Sequence, residues 1–206
     1  MLRPLLGLAV VLAFPGLALA GKFNEVLSIG DAAPAWENLP GVDDNEHSLA
    51  DLADKDVVVV VFTCNTCPVA VEYEDRLIAF AQPYAAPDSR VAVVAINCNK
   101  VQDDLLPAMK VRAEAKQFPF AYLSDESQQI GRDFGAVYTP EFYVLNRDRQ
   151  VVYMGAMDDD GDPAKATVDY VAAAVTAALE GSRPETTETR ARGCRVRYKR
   201  MVEEDE

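Results

Sequence analysis

Hydrophobic residues recur along this chain in two patterns, which predict strands and helices in turn. Uninterrupted apolar runs rich in Val and Ile are typical of strands that are buried on both faces of a sheet. Apolar residues spaced three and four positions apart are typical of helices with one buried side. In chain order the patterns predict a short helix at 48–53, a strand at 57–63, a helix from 65 or 66 to 84, a strand at 90–96, a helix at 103–116, a strand at 120–123, a helix at 124–135, strands at 141–145 and 150–154, and a helix at 162–180.

The order of these elements predicts an α/β fold. Strands separated by helices pair in parallel, because the helix returns the chain to the same end of the sheet. The turn at 146–149 joins two strands directly, which predicts an antiparallel hairpin at one edge. We therefore expect a central mixed sheet with helices on both faces and an antiparallel edge hairpin. Asp162 is the predicted N-cap of the last helix, and Val111 is among the residues of the 103–116 helix expected in the core.

The first twenty residues have a separate pattern. Arg3 precedes a short apolar stretch at 5–14, and residues 18–20 read Ala-Leu-Ala. This arrangement predicts a signal peptide at 1–20, cleaved before Gly21. A membrane anchor is the alternative, but the stretch is shorter than the roughly 20 apolar residues that a span needs. We expect an exported protein, periplasmic or secreted, without a stable membrane anchor.

Charge and size narrow the possible functions. The 206-residue chain has a formal net charge of −13, and cleavage of residues 1–20 would leave −14. So acidic a protein is not expected to bind nucleic acid or anionic membranes. We divide the remainder into one domain at 21–181 and, from a polar linker onward, a C-terminal tail at 182–206.

Four cysteines carry the candidate chemistry, at positions 64, 67, 98 and 194. Cys64 and Cys67 directly follow the first apolar strand, which places Cys64 at or near the N-terminus of the next helix. Backbone N–H groups and the helix dipole favour thiolate there. Four cysteines allow three pairings, and the spacing favours Cys64 with Cys67. Cys98, at the end of a strand, is interpreted as structural, and the single histidine, His47, as a surface residue.

Apolar and basic residues alternate along part of the tail. Cys194, Val196 and Tyr198 alternate with Arg195, Arg197 and Lys199, which predicts a short strand with Cys194 on its inward, apolar face. One interpretation of Cys194 is a third redox thiol, and the alternative is a small buried apolar residue.

The chain resembles the thioredoxin-like superfamily, and within it the redoxin branch related to the alkyl hydroperoxide reductase/thiol-specific antioxidant (AhpC/TSA) family. The resemblance rests on the Cys-x-x-Cys after a strand, on Gly-Asp-Ala-Ala-Pro at 30–34, on Thr139-Pro140 before a strand, and on the closing hairpin and helix. A group with Phe-Thr-Cys-Asn-x-Cys-Pro and a C-terminal Gly-Cys segment, like Gly193-Cys194, is especially similar.

This resemblance implies a thioredoxin-like fold and a thiol–disulfide oxidoreductase that needs no cofactor or metal. Cys64 would attack a substrate disulfide, and Cys67 would resolve the mixed disulfide. Thr139 and Pro140 would form a cis-proline loop that presents the Thr139 backbone to an extended substrate beside Cys64. Cys194 would be a third thiol that pairs with either of the two. The expected partners are protein thiols or disulfides, or an electron-donor redox protein.

The chain departs from thioredoxins in having Val58 where they bury an acid. Proton transfer from Cys67 then needs another group, for which Glu72 and Glu141 are candidates, although we interpret both as residues of solvated faces. Two alternatives to disulfide exchange stay open. The first is peroxide reduction by Cys64, although Val57 and Val61 stand where peroxiredoxins have Pro and Thr. The second is a structural or zinc-binding role for Cys64 and Cys67 with Cys98 or Cys194.

Overall fold

The structure, a computed structural model, describes residues 21–199. The signal peptide predicted at 1–20 lies outside the described residues, as does the acidic end of the tail. Within the described part of the chain, no helix is long and apolar enough to cross a membrane.

The described residues form short strands and helices in alternation. The strands are β1 (Leu39–Pro40), β2 (Glu46–His47), β3 (Val57–Phe62), β4 (Val91–Asn97), β5 (Ala121–Ser124), β6 (Tyr138–Thr139), β7 (Glu141–Leu145), β8 (Val151–Gly155) and β9 (Cys194–Arg195). The helices are α1 (Pro68–Ala81), α2 (Leu106–Lys116), α3 (Gln129–Asp133) and α4 (Tyr170–Leu179), and 3-10 turns occupy Leu49–Leu52, Gln82–Tyr84 and Gln102–Asp104.

Five strands form the central sheet in the order β5-β4-β3-β7-β8. Strands β3, β4 and β5 are parallel, whereas β7 runs antiparallel to both β3 and β8. The predicted mixed sheet with an antiparallel edge hairpin is therefore confirmed. The short strands β6 and β9 pair separately, next to the end of β3 that carries the cysteines.

Strand β3 is buried on both faces, because each face has its own hydrophobic cluster. Its odd-numbered residues pack against α1, α2 and α4. Its even-numbered residues pack against Trp36, Phe134 and the tail residue Val196. A slip of one residue would exchange the two sets, so these clusters fix the register of the strand that leads into the turn with Cys64 and Cys67.

All four helices begin later than the sequence predicts, with α2 beginning at Leu106 rather than 103 and α3 at Gln129 rather than 124. Helix α1 begins at Pro68, because a residue before proline avoids the helical conformation, and Cys67 is extended with φ −83° and ψ 116°. Helix α4 begins at Tyr170, where the Asp169 side chain accepts the Ala172 N–H at 2.9 Å. Asp162, the predicted cap, instead closes an isolated turn.

The prediction that Val111 faces the core is wrong, since its side chain is 69% exposed. Met109 and Ala113, two positions to either side, are the buried residues of α2. Residues two apart on a helix point to nearly opposite sides, so Val111 must face solvent.

The two outer strands of the sheet contact other segments along their free sides. On β5, the Tyr122 carbonyl accepts a hydrogen bond from Val42 N–H at 3.0 Å. Strand β8 forms backbone hydrogen bonds with residues 30–31 near its start and with residues 187–189 near its end. The polar linker predicted at 182–189 therefore runs partly alongside the sheet.

Helices α1 and α2 are joined by a two-bond ion pair. Arg112 donates to Glu74 at 2.8 and 2.7 Å, and Glu74 is buried. We expect Arg112→Ala to lower the free energy of unfolding by about 2 kcal/mol in chemical denaturation, because it leaves a buried carboxylate short of its main partner. Lys110→Ala is the matched control, since Lys110 pairs with the exposed Asp44 and should cost about 0.5 kcal/mol or less. Equal effects of the two substitutions would contradict this prediction.

Candidate active site

The two cysteines of the Cys-x-x-Cys segment lie in the turn between β3 and α1. Cys67 is the N-cap residue of α1, so the helix terminus that the sequence assigned to Cys64 belongs to Cys67 instead. Pro68 at the first helical position fixes this start, since it lacks the N–H that would otherwise be unpaired there.

The sulfur of Cys67 is surrounded by hydrogen-bonding groups. It accepts the N–H of Ala70 at 3.4 Å and of Cys194 at 3.3 Å, and its thiol, when protonated, donates to the Thr139 carbonyl at 3.0 Å. Hydrogen bonding with the Cys64 thiol, and then with Cys194 and Ala70, lowers the pKa of Cys67 from 9.0 to about 4, although burial acts in the opposite direction. Cys67 is therefore the thiol that the site stabilises as thiolate.

The pKa of Cys64 shifts in the opposite direction. Its hydrogen bond with the Cys67 sulfur and its burial together raise its pKa, and the Thr139 hydroxyl lies 3.4 Å from its sulfur. The reduced pair therefore holds one proton, carried by Cys64 and shared with Cys67. Cys64 also lines a narrow apolar pocket together with the rings of Tyr73, Phe118, Phe120, Tyr122, Pro140 and Phe142.

Thr139 and Pro140 lie beside the dithiol, as the sequence predicts. The bond between them is cis. Both the carbonyl and the hydroxyl of Thr139 contact the cysteines. The backbone edge expected to face a substrate is occupied in this structure, since Thr139 pairs with Cys194 in the β6–β9 ladder.

One residue of this site was missed by sequence reasoning. Asp104 is almost completely buried and accepts hydrogen bonds from Asn65 N–H at 2.7 Å, from Thr66 N–H at 3.1 Å and from the Thr66 hydroxyl at 2.6 Å. It also accepts from the Asn99 amide at 3.2 Å. Asp104 thus fixes the two residues between the cysteines. The sequence placed it only within the predicted 103–116 helix, and no motif marked it.

The two acids proposed for proton transfer differ in their surroundings. Glu72 is exposed, as expected. The prediction that Glu141 lies on a solvated face is wrong: it is buried, and burial raises its pKa. The Glu141 carboxylate accepts the N–H groups of Val137 and Tyr138 at 2.8 and 2.9 Å, so it braces the strand that ends at Thr139.

The remaining candidate residues lie away from the dithiol. Cys98 is buried next to the tail residue Tyr198, and burial is the main cause that raises its pKa to about 12. His47 is partly exposed and bonds with Asp43 at 3.0 Å. Among residues 21–199, no three His, Cys, Asp or Glu side chains are placed to hold one metal ion.

The sequence of residues 29–154, which includes both cysteines and the cis-proline bond, matches the AhpC/TSA family. The chain belongs to the AhpC/TSA family. No functionally curated protein matches it significantly. The predicted similarity to a group with a C-terminal Gly-Cys segment stays a prediction, because the family match ends before the tail.

Solved structures agree with membership of the AhpC/TSA family. An uncharacterized conserved protein from Geobacillus kaustophilus is 32% identical with a TM-score of 0.79, covering 87% of this chain and 96% of its own. A hypothetical protein from Sinorhizobium meliloti 1021 is also 32% identical, with a TM-score of 0.78 and coverage of 85% and 97%. A putative thioredoxin from Neisseria meningitidis has a TM-score of 0.58 at 21% identity, covering 74% and 93%, and supports the thioredoxin-like fold alone.

Proposed function

We propose that this AhpC/TSA-family protein is an exported thiol–disulfide oxidoreductase that uses Cys64 and Cys67 as its dithiol. The observation that carries the proposal is the β3–α1 turn, where the Cys67 sulfur accepts the N–H groups of Ala70 and Cys194 and lies in one buried cluster with Cys64. Hydrogen bonding with Cys64, and then with Cys194 and Ala70, lowers the pKa of Cys67. A pair that keeps one thiolate at neutral pH is suited to exchange, because thiolate is the reactive species.

The chemistry follows from the shared proton. Cys64 attacks a substrate disulfide from its apolar pocket and passes its proton to the Cys67 thiolate, so no separate base is needed for the first step. One substrate sulfur leaves as a thiolate, and Cys64 stays in a mixed disulfide. Cys67 then gives its proton to the substrate thiolate that has left, attacks the Cys64 sulfur and releases the second substrate sulfur as a thiolate. The products are a Cys64–Cys67 disulfide and a reduced substrate, and the reverse sequence oxidises a dithiol.

Thr139 and Pro140 are the proposed substrate-binding residues. The Thr139 hydroxyl lies 3.4 Å from the Cys64 sulfur, where it can donate to Cys64 as this sulfur loses its proton and attacks the substrate. Pro140 lies in the wall of the pocket that Cys64 lines. The proposed partners are protein thiols or disulfides, or an electron-donor redox protein, in the periplasm or outside the cell.

An equilibrium redox titration tests the proposal, with free thiols trapped and counted by mass at each potential. We expect a reversible two-thiol step that maps to Cys64 and Cys67, with a midpoint within the range of roughly −120 to −270 mV known for such dithiols. Thiols that never interconvert would overturn the proposal.

Peroxide reduction is the second candidate, and membership of the AhpC/TSA family favours it. It predicts a sulfenic acid on Cys64 when the reduced protein meets hydrogen peroxide, trapped by a sulfenic-acid reagent. Rapid trapping together with slow exchange against a disulfide substrate would favour the peroxidase over the exchange enzyme.

A further inference from the structure

The tail places a third thiol against the dithiol. Strand β9 pairs with β6 so that Cys194 lies opposite Thr139, and the Cys194 N–H donates to the Cys67 sulfur at 3.3 Å. The thiols of Cys67 and Cys194 contact each other within the same small cluster that contains Cys64. Thr139 therefore contacts the dithiol on one side and the Cys194 strand on the other.

The three sulfurs have a fixed order. Cys67 contacts both other cysteines, with Cys64 on the side of the apolar pocket and Cys194 on the side of the tail. Cys64 and Cys67 are only 3% and 1% exposed, whereas Cys194 is partly exposed. A folded partner protein can therefore reach the outermost sulfur, Cys194, more readily than either member of the dithiol.

Buried polar side chains hold the tail in this position. Gln128 donates to the Arg197 carbonyl at 3.0 Å and accepts the Lys199 N–H at 2.8 Å. Asn99 accepts the Arg197 N–H at 3.0 Å. Gly193 lies so close to Thr139 that a Cβ there would clash with the Thr139 carbonyl oxygen. The backbone next to Cys194 is therefore fitted to the active-site loop.

We infer that Cys194 is a third redox thiol that exchanges with Cys67, so that the disulfide of the oxidised protein can move from Cys64–Cys67 to Cys67–Cys194. This inference rests on the proposed function, because the disulfide that moves is the one formed by the dithiol. The Cys194 thiolate attacks the Cys67 sulfur, the Cys67–Cys194 bond forms, and the Cys64–Cys67 bond breaks. Cys64 leaves as a thiolate and takes up the proton that Cys194 lost, so no further oxidant is needed.

The site thereby has one cysteine that meets the substrate and another that meets the reducing partner. Cys64 meets the substrate beside Pro140, and the Cys67–Cys194 disulfide is where an external dithiol partner reduces the protein. The β6–β9 pairing holds Cys194 at high effective concentration, which favours this exchange over reaction of Cys67 with dissolved thiols.

The test uses the purified Cys64→Ser protein, oxidised with glutathione disulfide and then alkylated and mapped by mass spectrometry. We expect a Cys67–Cys194 disulfide, with Cys98 as the alkylated thiol. Cys67 and Cys194 recovered separately, as alkylated or glutathione-bound residues, would overturn the inference. If that happens while the wild type still forms Cys64–Cys67 and exchanges disulfides, the proposed function stands. A wild type that forms no Cys64–Cys67 disulfide refutes the proposed function by itself.

A second variant keeps the test independent of Cys64. We expect Gly193→Ala to slow formation of the Cys67–Cys194 disulfide roughly tenfold, because the new Cβ pushes Cys194 away from Thr139. The Cys64–Cys67 disulfide should still form in this variant. Gly161→Ala is the matched control, since no atom lies within 4 Å of its new Cβ. Equal rates in the two variants would contradict a role for the β6–β9 contact.

Discussion

Acidification of the reduced protein should leave one thiolate in place until the pH approaches about 4, the pKa to which its hydrogen bonds lower Cys67. An ordinary thiol would be protonated at every pH from neutral down to about 4, since its pKa is close to 9.0. Ultraviolet absorbance of the thiolate measures this directly. We expect Cys67→Ser to abolish the signal at neutral pH, because burial still raises the pKa of Cys64 after its hydrogen bond with Cys67 is lost.

The lowered pKa of Cys67 predicts how the stability and the midpoint potential change with pH. Between pH 9.0 and about 4 the unfolded reduced chain binds one proton more than the folded chain, so the stability of the reduced form falls as the pH falls. In the same range reduction takes up one proton for two electrons, so the midpoint potential should change by about 30 mV per pH unit. A slope of about 60 mV across this range would contradict the shared proton. Cys98→Ser is the control and should change neither result, because Cys98 stays protonated up to about pH 12.

Replacement of Asp104 by alanine should destabilise the protein by about 3 kcal/mol and also slow disulfide exchange. The substitution removes the carboxylate that accepts the N–H groups of Asn65 and Thr66, and the Thr66 hydroxyl loses its partner as well. Unpaired groups in a partly buried turn cost about 1–3 kcal/mol each, and water can compensate for some of that loss here. Chemical denaturation measures the first effect, and turnover of a disulfide substrate measures the second.

Two matched variants test the assignment to Asp104. Asp103→Ala removes a neighbouring exposed carboxylate and should change stability by about 0.5 kcal/mol or less. The Asp103 carbonyl, which accepts the Asn65 amide at 2.8 Å, is retained in that variant. Asp104→Asn keeps one acceptor oxygen, so its loss of stability should lie between those of Asp103→Ala and Asp104→Ala. If Asp104→Ala behaves like Asp103→Ala, the carboxylate does not fix the turn.

The central sheet was accessible from the sequence because its signals are local. The apolar run that became β3 has two buried faces, which the uninterrupted valines indicate. The hairpin of β7 and β8 has a polar turn between two apolar runs. The candidate site residues Cys64, Cys67, Thr139 and Pro140 were predicted from spacing and resemblance, and the structure brings all four together with Cys194.

The parts that the sequence did not predict depend on contacts between distant residues. Asp104 lies 39 positions from Asn65, so no local pattern connects the two residues. Burial of Glu141 follows from the β6–β7 bend, which has no hydrophobic pattern of its own. The start of α1 depends on Pro68. The helix begins two or three residues later than predicted, so its N-terminus lies at Cys67 rather than at Cys64.

The contacts along the outer strands of the sheet bear on how the protein behaves at high concentration. An unpaired edge strand is a template on which a second chain can add its own strand, and such addition leads to aggregation or domain exchange. Here residues 30–31 and 187–189 cover parts of β8, and Val42 covers part of β5. The sheet is therefore poorly suited to grow from either side. The linker before Cys194 thus also protects the fold against self-association through its edges.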